Sequence, residues 1–147
     1  AIEMLEVRAV LEGLAARHAA RKATDPDLAT LHALDDQMQV AFAQGDLLVV
    51  SELNAQWHDK LLTMADHQTV RSLIQRLRAQ HVRFRYRTLL APGQAQHSLQ
   101  AHRLVLAALA AHDENAAENA MRQHLSRVVE ALRQSGPMNN AAGQSWP

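Results

Sequence analysis

Cysteine is absent from the chain, which excludes disulfides, thiolate metal ligands and thiol catalysis. Aromatic residues make up 3% of it, so a core has to be built from Leu, Ala, Val and Met. Glycine and proline are scarce, at five and four residues, and abundant alanine favours helix. No apolar run approaches the roughly 18 residues of a membrane span, and no signal peptide is visible. A soluble, cytoplasmic protein with no membrane partner is the expectation. An excess of charge of one sign is lacking too: Lys plus Arg and Asp plus Glu number 15 each. Duplex binding is mostly phosphate neutralisation, so a neutral chain is a poor nucleic-acid binder by itself.

What is present is a helical pattern over a length, 147 residues, typical of one domain. The periodicity predicts an all-α antiparallel bundle of about six helices. The first runs from about Ile2 to Arg21, with Met4, Val7, Leu11, Leu14 and His18 at heptad-like spacing. Asp25 and Pro26 read as an N-cap and the first helical position of a second, which ends near Gly45. Asp46 caps a third, carrying Val50, Leu53, Trp57 and Leu61. A break near Ala65-Asp66-His67 opens a fourth, with Val70, Ile74, Leu77, His81 and Phe84, stopped by Pro92-Gly93. The fifth carries Leu99, His102, Leu106 and Leu109. Asp113 caps a sixth with Ala117, Met121, His124, Val128 and Leu132. Residues 135–147, rich in Asn, Ala, Gly and Ser, read as a disordered tail.

Four polar residues fall on the apolar sides of these patterns. Asn54 and His58 are four apart and stack on one helical face; His102 and His124 lie in two later helices, flanked by leucine, methionine and valine at offsets of three, four and seven. Imidazole is the commonest ligand for several divalent metals. Three inward histidines without a shared purpose would be a heavy desolvation burden, and a metal would satisfy one nitrogen on each ring. The bland reading is three separately hydrogen-bonded core histidines, and spacing leaves the two open because it does not show that the three faces meet.

Several segments carry a family pattern. Leu5-Glu6-Val7-Arg8-Ala9-Val10-Leu11-Glu12, followed by Leu14-Ala15-Ala16 and Ala19-Ala20, resembles the first helix of the FCD domain. That is the C-terminal effector-binding domain of the FadR branch of GntR-type bacterial transcription regulators. Trp57-His58-Asp59-Lys60-Leu61 is similar to the family's Phe-His-x-x-Leu, and Ala101-His102-Arg103-Leu104-Val105-Leu106 to its Glu-His-x-x-Ile-Leu. Asp113, Ala116-Ala117, Met121-Arg122 and His124-Leu125 match its last helix, so the resemblance covers residues 1–134.

The resemblance implies a metal site. In many members an Asp-x-x-x-His pair and two later histidines hold a divalent metal at the floor of a pocket; the matching positions here are Asn54, His58, His102 and His124. Asn54 departs from the pattern, being neutral and a weaker donor than carboxylate. Three imidazoles and an oxygen suit Zn or Ni. A metal-free domain sensing a larger acyl ligand is the alternative.

Arg71, Arg76, Arg78, Arg83, Arg85 and Arg87 crowd the fourth helix, most of them as a solvated face. Arg78 and Arg85 adjoin His81 and Phe84 on the inner side, and Arg8 borders the apolar face of the first helix, with an intrahelical pair to Glu12 as the competing role. Arginine binds carboxylate bidentately, so Arg8, Arg78 and Arg85 are candidate contacts for a small organic acid effector. The resemblance implies a sensing and dimerisation domain, not an enzyme. It also implies a homodimer that reaches DNA only through an N-terminal winged helix-turn-helix absent from this chain. The rival from the residues alone is a metal-dependent hydrolase, for which no general base is identifiable: Asp59 points about 100° away from His58 on a helix.

Overall fold

The computed structural model describes residues 2–79 and 88–134. Six helices are given in full: α1 (Ile2–Lys22), α2 (Asp25–Ala43), α3 (Leu47–Ala65), α4 (Gln68–Ala79), α5 (Gln94–Ala110) and α6 (Glu114–Gln134). Residues 88–90 are also helical, so there are seven helices rather than six among the described residues. The fourth helix read from the sequence as running on to Pro92 is thus divided, with Gln68–Ala79 as α4 and residues 88–90 in a separate element. A continuing apolar period does not report where a new element begins. His81, Phe84, Arg83, Arg85, Arg87 and the tail from residue 135 lie outside the described residues.

The helix ends follow local chemistry. Thr24, not Asp25, caps α2. Its hydroxyl accepts from the Asp27 amide at 3.3 Å and the Asp27 carboxylate accepts from the Thr24 amide at 3.3 Å. This reciprocal pair satisfies two amides at once, which a cap at Asp25 would not. Asp46 caps α3 by accepting from Val49 N at 3.3 Å, and Asp113 caps α6 by accepting from Ala116 N at 3.0 Å. Replacing Asp46 with alanine is expected to cost about 1 kcal/mol of stability, read from urea unfolding, because one helix-start amide loses its acceptor. A loss below about 0.3 kcal/mol would show that water replaces the cap.

Short connections fold α2 back on α3 and α5 back on α6. Helix α1 lies antiparallel to α6: Glu6 pairs with Arg133, Arg17 with Glu118 and Arg21 with Glu114. It runs parallel to α3, with Glu12 beside His58 and Lys22 beside Ala65. The bundle is thus antiparallel in the pairs α2/α3, α5/α6 and α1/α6 and parallel where α1 meets α3.

The buried side of α1 differs from the heptad reading. Val7 is 50% exposed, whereas Leu5, Ala9, Glu12, Gly13, Ala15, Ala16, Ala19 and Ala20 are buried. Small residues win because they let α1 approach α3 and α6 closely. At Gly13 a Cβ would stand 2.7 Å from Arg122 Cγ. The main core joins this alanine face to Leu31, Trp57, Leu61, Ile74, Leu109 and Met121. A second cluster at the other end gathers Met38, Val50, Leu53, Leu89 and Leu99. The polar site lies between helices that these two clusters hold in place.

Candidate metal centre

His58 on α3, His102 on α5 and His124 on α6 meet in the bundle interior, each offering a ring nitrogen within 4.8 Å of the others. Their ring centroids form a near-equilateral triangle with sides of 5.3, 5.4 and 5.5 Å. All three are buried. Each belongs to a local apolar stripe: His102 follows Leu99 and precedes Val105 and Leu106, while His124 lies between Met121 and Val128. The backbone period alone therefore turns the imidazoles inward.

Two buried carboxylates hold two of the rings from behind. His58 Nδ1 donates to Glu12 Oε2 at 2.7 Å, and His102 Nδ1 donates to Asp35 Oδ1 at 2.9 Å. These bonds commit the Nδ1 proton and leave each Nε2 as a lone-pair donor, the arrangement that second partners of metal-bound histidines produce. His102 Nε2 is buried with no hydrogen-bond partner among the described residues. So is Asn54 Oδ1. Trp57 stacks on His102 with centroids 3.8 Å apart and planes 4° from parallel, which fixes the ring's rotation.

The electrostatics keep His102 and His124 neutral. Burial lowers the His102 pKa to about 4 against the opposing pull of Asp35. Burial, together with the neighbouring His102 and His58, holds His124 well below the ordinary histidine value. Glu12 behaves oppositely. Burial pushes its carboxyl up, but Arg8, His58 and Arg78 together carry it well below the usual carboxylate range. Three converging imidazoles, two of them backed by carboxylates and one with an unpartnered inner nitrogen, are a donor set that suits a divalent cation, so the residues present fit a metal.

A cavity of about 340 Å³ opens above the histidines. Asn54, His58 and His124 line it, with Arg8 and Arg78 on its wall. Arg8 lines the cavity, and its guanidinium donates to Glu12 Oε1 at 2.7 Å, the intrahelical pair that was the competing role. Arg78 bridges Glu12, at 3.4 Å, and Asp59. Asp59 is 64% exposed and does not join the imidazole cluster. Arg85 lies outside the described residues.

Sequence reasoning missed Asp35, Gln94 and Ser98, and took Glu12 only as a partner for Arg8. A signal existed for each. Asp35 interrupts the buried series Leu31, Met38 on α2, and Glu12 interrupts the series Leu5, Ala9, Ala16 on α1. Gln94, Ser98 and His102 repeat every four residues on α5, and the first two line the cavity.

Known proteins resemble this chain in sequence and in fold. The chain is 30% identical over 128 residues to the HTH-type transcriptional repressor RspR of Escherichia coli (strain K12), covering 87% of this chain and 56% of that protein. It has the same identity and coverage with a Shigella flexneri protein named as an uncharacterized HTH-type transcriptional regulator, YdfH. The chain thus spans little more than half the length of these relatives. Among solved structures, Streptococcus agalactiae GntR superposes with a TM-score of 0.71 at 24% identity, over 91% of this chain and 58% of that one, which is a likeness of fold. Residues 3–127 match the FCD domain family. The chain therefore belongs to the FCD domain family.

Proposed function

We propose that this domain senses a small carboxylate through a divalent metal held by His58, His102 and His124. The observation that carries the reading is the convergence of three buried imidazoles. Two have their outer nitrogens tied to carboxylates, and the inner nitrogen of His102 has no partner. An unpartnered buried acceptor costs about 1–3 kcal/mol, and a cation at the centre of the triangle removes that cost. Nitrogen-rich donors favour Zn or Ni. Bound there, the metal supplies a Lewis-acidic anchor for an anionic group.

The chain's own residues do the rest. Glu12 and Asp35 orient the imidazoles. Arg8 and Arg78 add positive charge to the cavity wall beside the floor. Asn54 presents a neutral oxygen on that floor, so the site keeps one more positive charge than an aspartate would leave, which favours an anionic ligand. Effector binding shifts the domain between conformations by its differential affinity for them. In the whole regulator we place this domain in the cytoplasm, paired with a second copy, with DNA bound by a separate winged helix-turn-helix domain.

The test is metal analysis of protein purified without a histidine tag or nickel column. About one equivalent per chain is expected, with a melting temperature that falls under chelator. Less than about half an equivalent and no chelator effect would sink the reading. Asn54→Asp is expected to tighten metal binding by about tenfold or more in calorimetry, since a charged oxygen replaces a neutral one. Unchanged affinity would remove Asn54 from the ligand set.

A further inference from the structure

Gln94, Ser98 and His102 lie four residues apart on α5 and share one face. The packing of α5 against α6 and α2 turns that face inward. Gln94 is 5% exposed and Ser98 3%, yet both line the cavity. Among the described residues neither side chain has a hydrogen-bonding partner. Other parts of the same cavity are apolar, formed by Leu89, Leu125 and Val128. Neither side chain is tied to a protein group among the described residues, and both line the cavity, so their hydrogen-bonding capacity is open to whatever the cavity holds.

We infer that Gln94 and Ser98 form a subsite for hydroxyl groups of the bound acid, so that the domain selects a hydroxylated carboxylate over an unsubstituted one of equal length. This rests on the proposed function, since it takes the imidazole end of the cavity as the place of the carboxylate. Amide and hydroxyl side chains both donate and accept, as a ligand hydroxyl does, whereas a second carboxylate only accepts. The helix acts as a ruler. At about 1.5 Å per residue, Ser98 stands roughly 6 Å and Gln94 roughly 12 Å along the axis from His102. A short chain anchored at the imidazoles therefore passes Ser98 first and presents its far end to Gln94. The cavity volume, about 340 Å³, is at the small end for ligand sites and suits an acid of that size.

The experiment is calorimetry on the metal-loaded chain with two five-carbon acids, ribonate and pentanoate, and with ribitol, which has hydroxyls but no carboxylate. Wild-type protein is expected to prefer ribonate over pentanoate by about tenfold or more, because a site built to bond hydroxyls rejects an analogue lacking them. Gln94→Leu and Ser98→Ala are each expected to weaken ribonate by about fivefold or more and to leave pentanoate within about twofold. Weaker binding of ribitol than of ribonate supports the carboxylate anchor. The melting temperatures of the ligand-free variants should be unchanged or higher, since no bond within the protein is lost.

Equal binding of the two acids, equal weakening of both by the variants, or a clear fall in ligand-free melting temperature overturns the subsite. Metal binding with binding of neither acid overturns the subsite and spares the metal site. Failure to bind metal overturns the metal reading, and the same two acids titrated into metal-free protein then decide the subsite by the same criteria.

Discussion

Replacing His102 with alanine is expected to weaken metal binding by more than about 100-fold. Loss of a partner behind a ligand already costs about 10–100-fold, and loss of the ligand itself exceeds it. His102 is the most telling of the three because it is fully buried, stacked on Trp57 and tied to Asp35, with Nε2 directed at no protein group among the described residues. Alanine also leaves a void beneath Trp57 and strips Asp35 of its partner, so lower stability alone is not diagnostic. The difference made by chelator is. With metal at about 100 times its dissociation constant, wild-type protein gains about 2.7 kcal/mol, equivalent to about 5–10 °C in Tm for a domain of this size. In the variant the chelator is expected to shift Tm by less than about 1 °C, because little metal remains bound. A chelator shift of wild-type size in His102→Ala would show that the metal sits elsewhere or that His102 is a packing residue.

The second large effect belongs to Glu12. Its carboxylate is 1% exposed and takes hydrogen bonds from Arg8, His58 and Arg78. Breaking a buried pair by removing one partner typically costs 3–5 kcal/mol, because the charge left behind has neither water nor a counter-ion. Arg8 and Arg78 are 14% and 21% exposed, so cavity water softens the penalty. Glu12→Gln is therefore expected to cost about 3 kcal/mol in urea unfolding, at the lower end of that range. It is also expected to weaken metal binding by about 10–100-fold through the released His58 ring. A double variant separates charge from shape. Arg8→Met together with Glu12→Gln removes both members of the closest pair and should be more stable than Glu12→Gln alone. A single-variant cost below about 1 kcal/mol would mean that Glu12 is dispensable to the bundle.

Much of the architecture was legible because it is local. The caps at Asp46 and Asp113 need contacts within three residues, and the inward turn of His58, His102 and His124 needs only a helical period. The fold class and the family were legible in the same way, from motifs that each lie within one helix. Elsewhere local information misled. On α1 the larger apolar side chains Met4, Val7, Leu11 and Leu14 mark the heptad-like stripe, while the buried seam is built of alanines, with Leu5 and Glu12 among them. Side-chain size ranks hydrophobicity and says nothing about how closely a neighbouring helix approaches. Thr24 and Asp25 are both good caps by residue type, and only the reciprocal bonds with Asp27 separate them.

The amino-acid sequence by itself determined that this protein is helical, that sulfur plays no part in its ligand chemistry beyond methionine, and that three imidazoles lie on the apolar faces of three different helices. The tertiary structure decided that the three meet, and which groups stand behind them. Glu12 is 46 residues from His58, and Asp35 is 67 residues from His102. The physical reason is that periodicity reports direction relative to one helix axis, whereas a site depends on the distances between axes, and the close packing along the alanine face of α1 sets those distances.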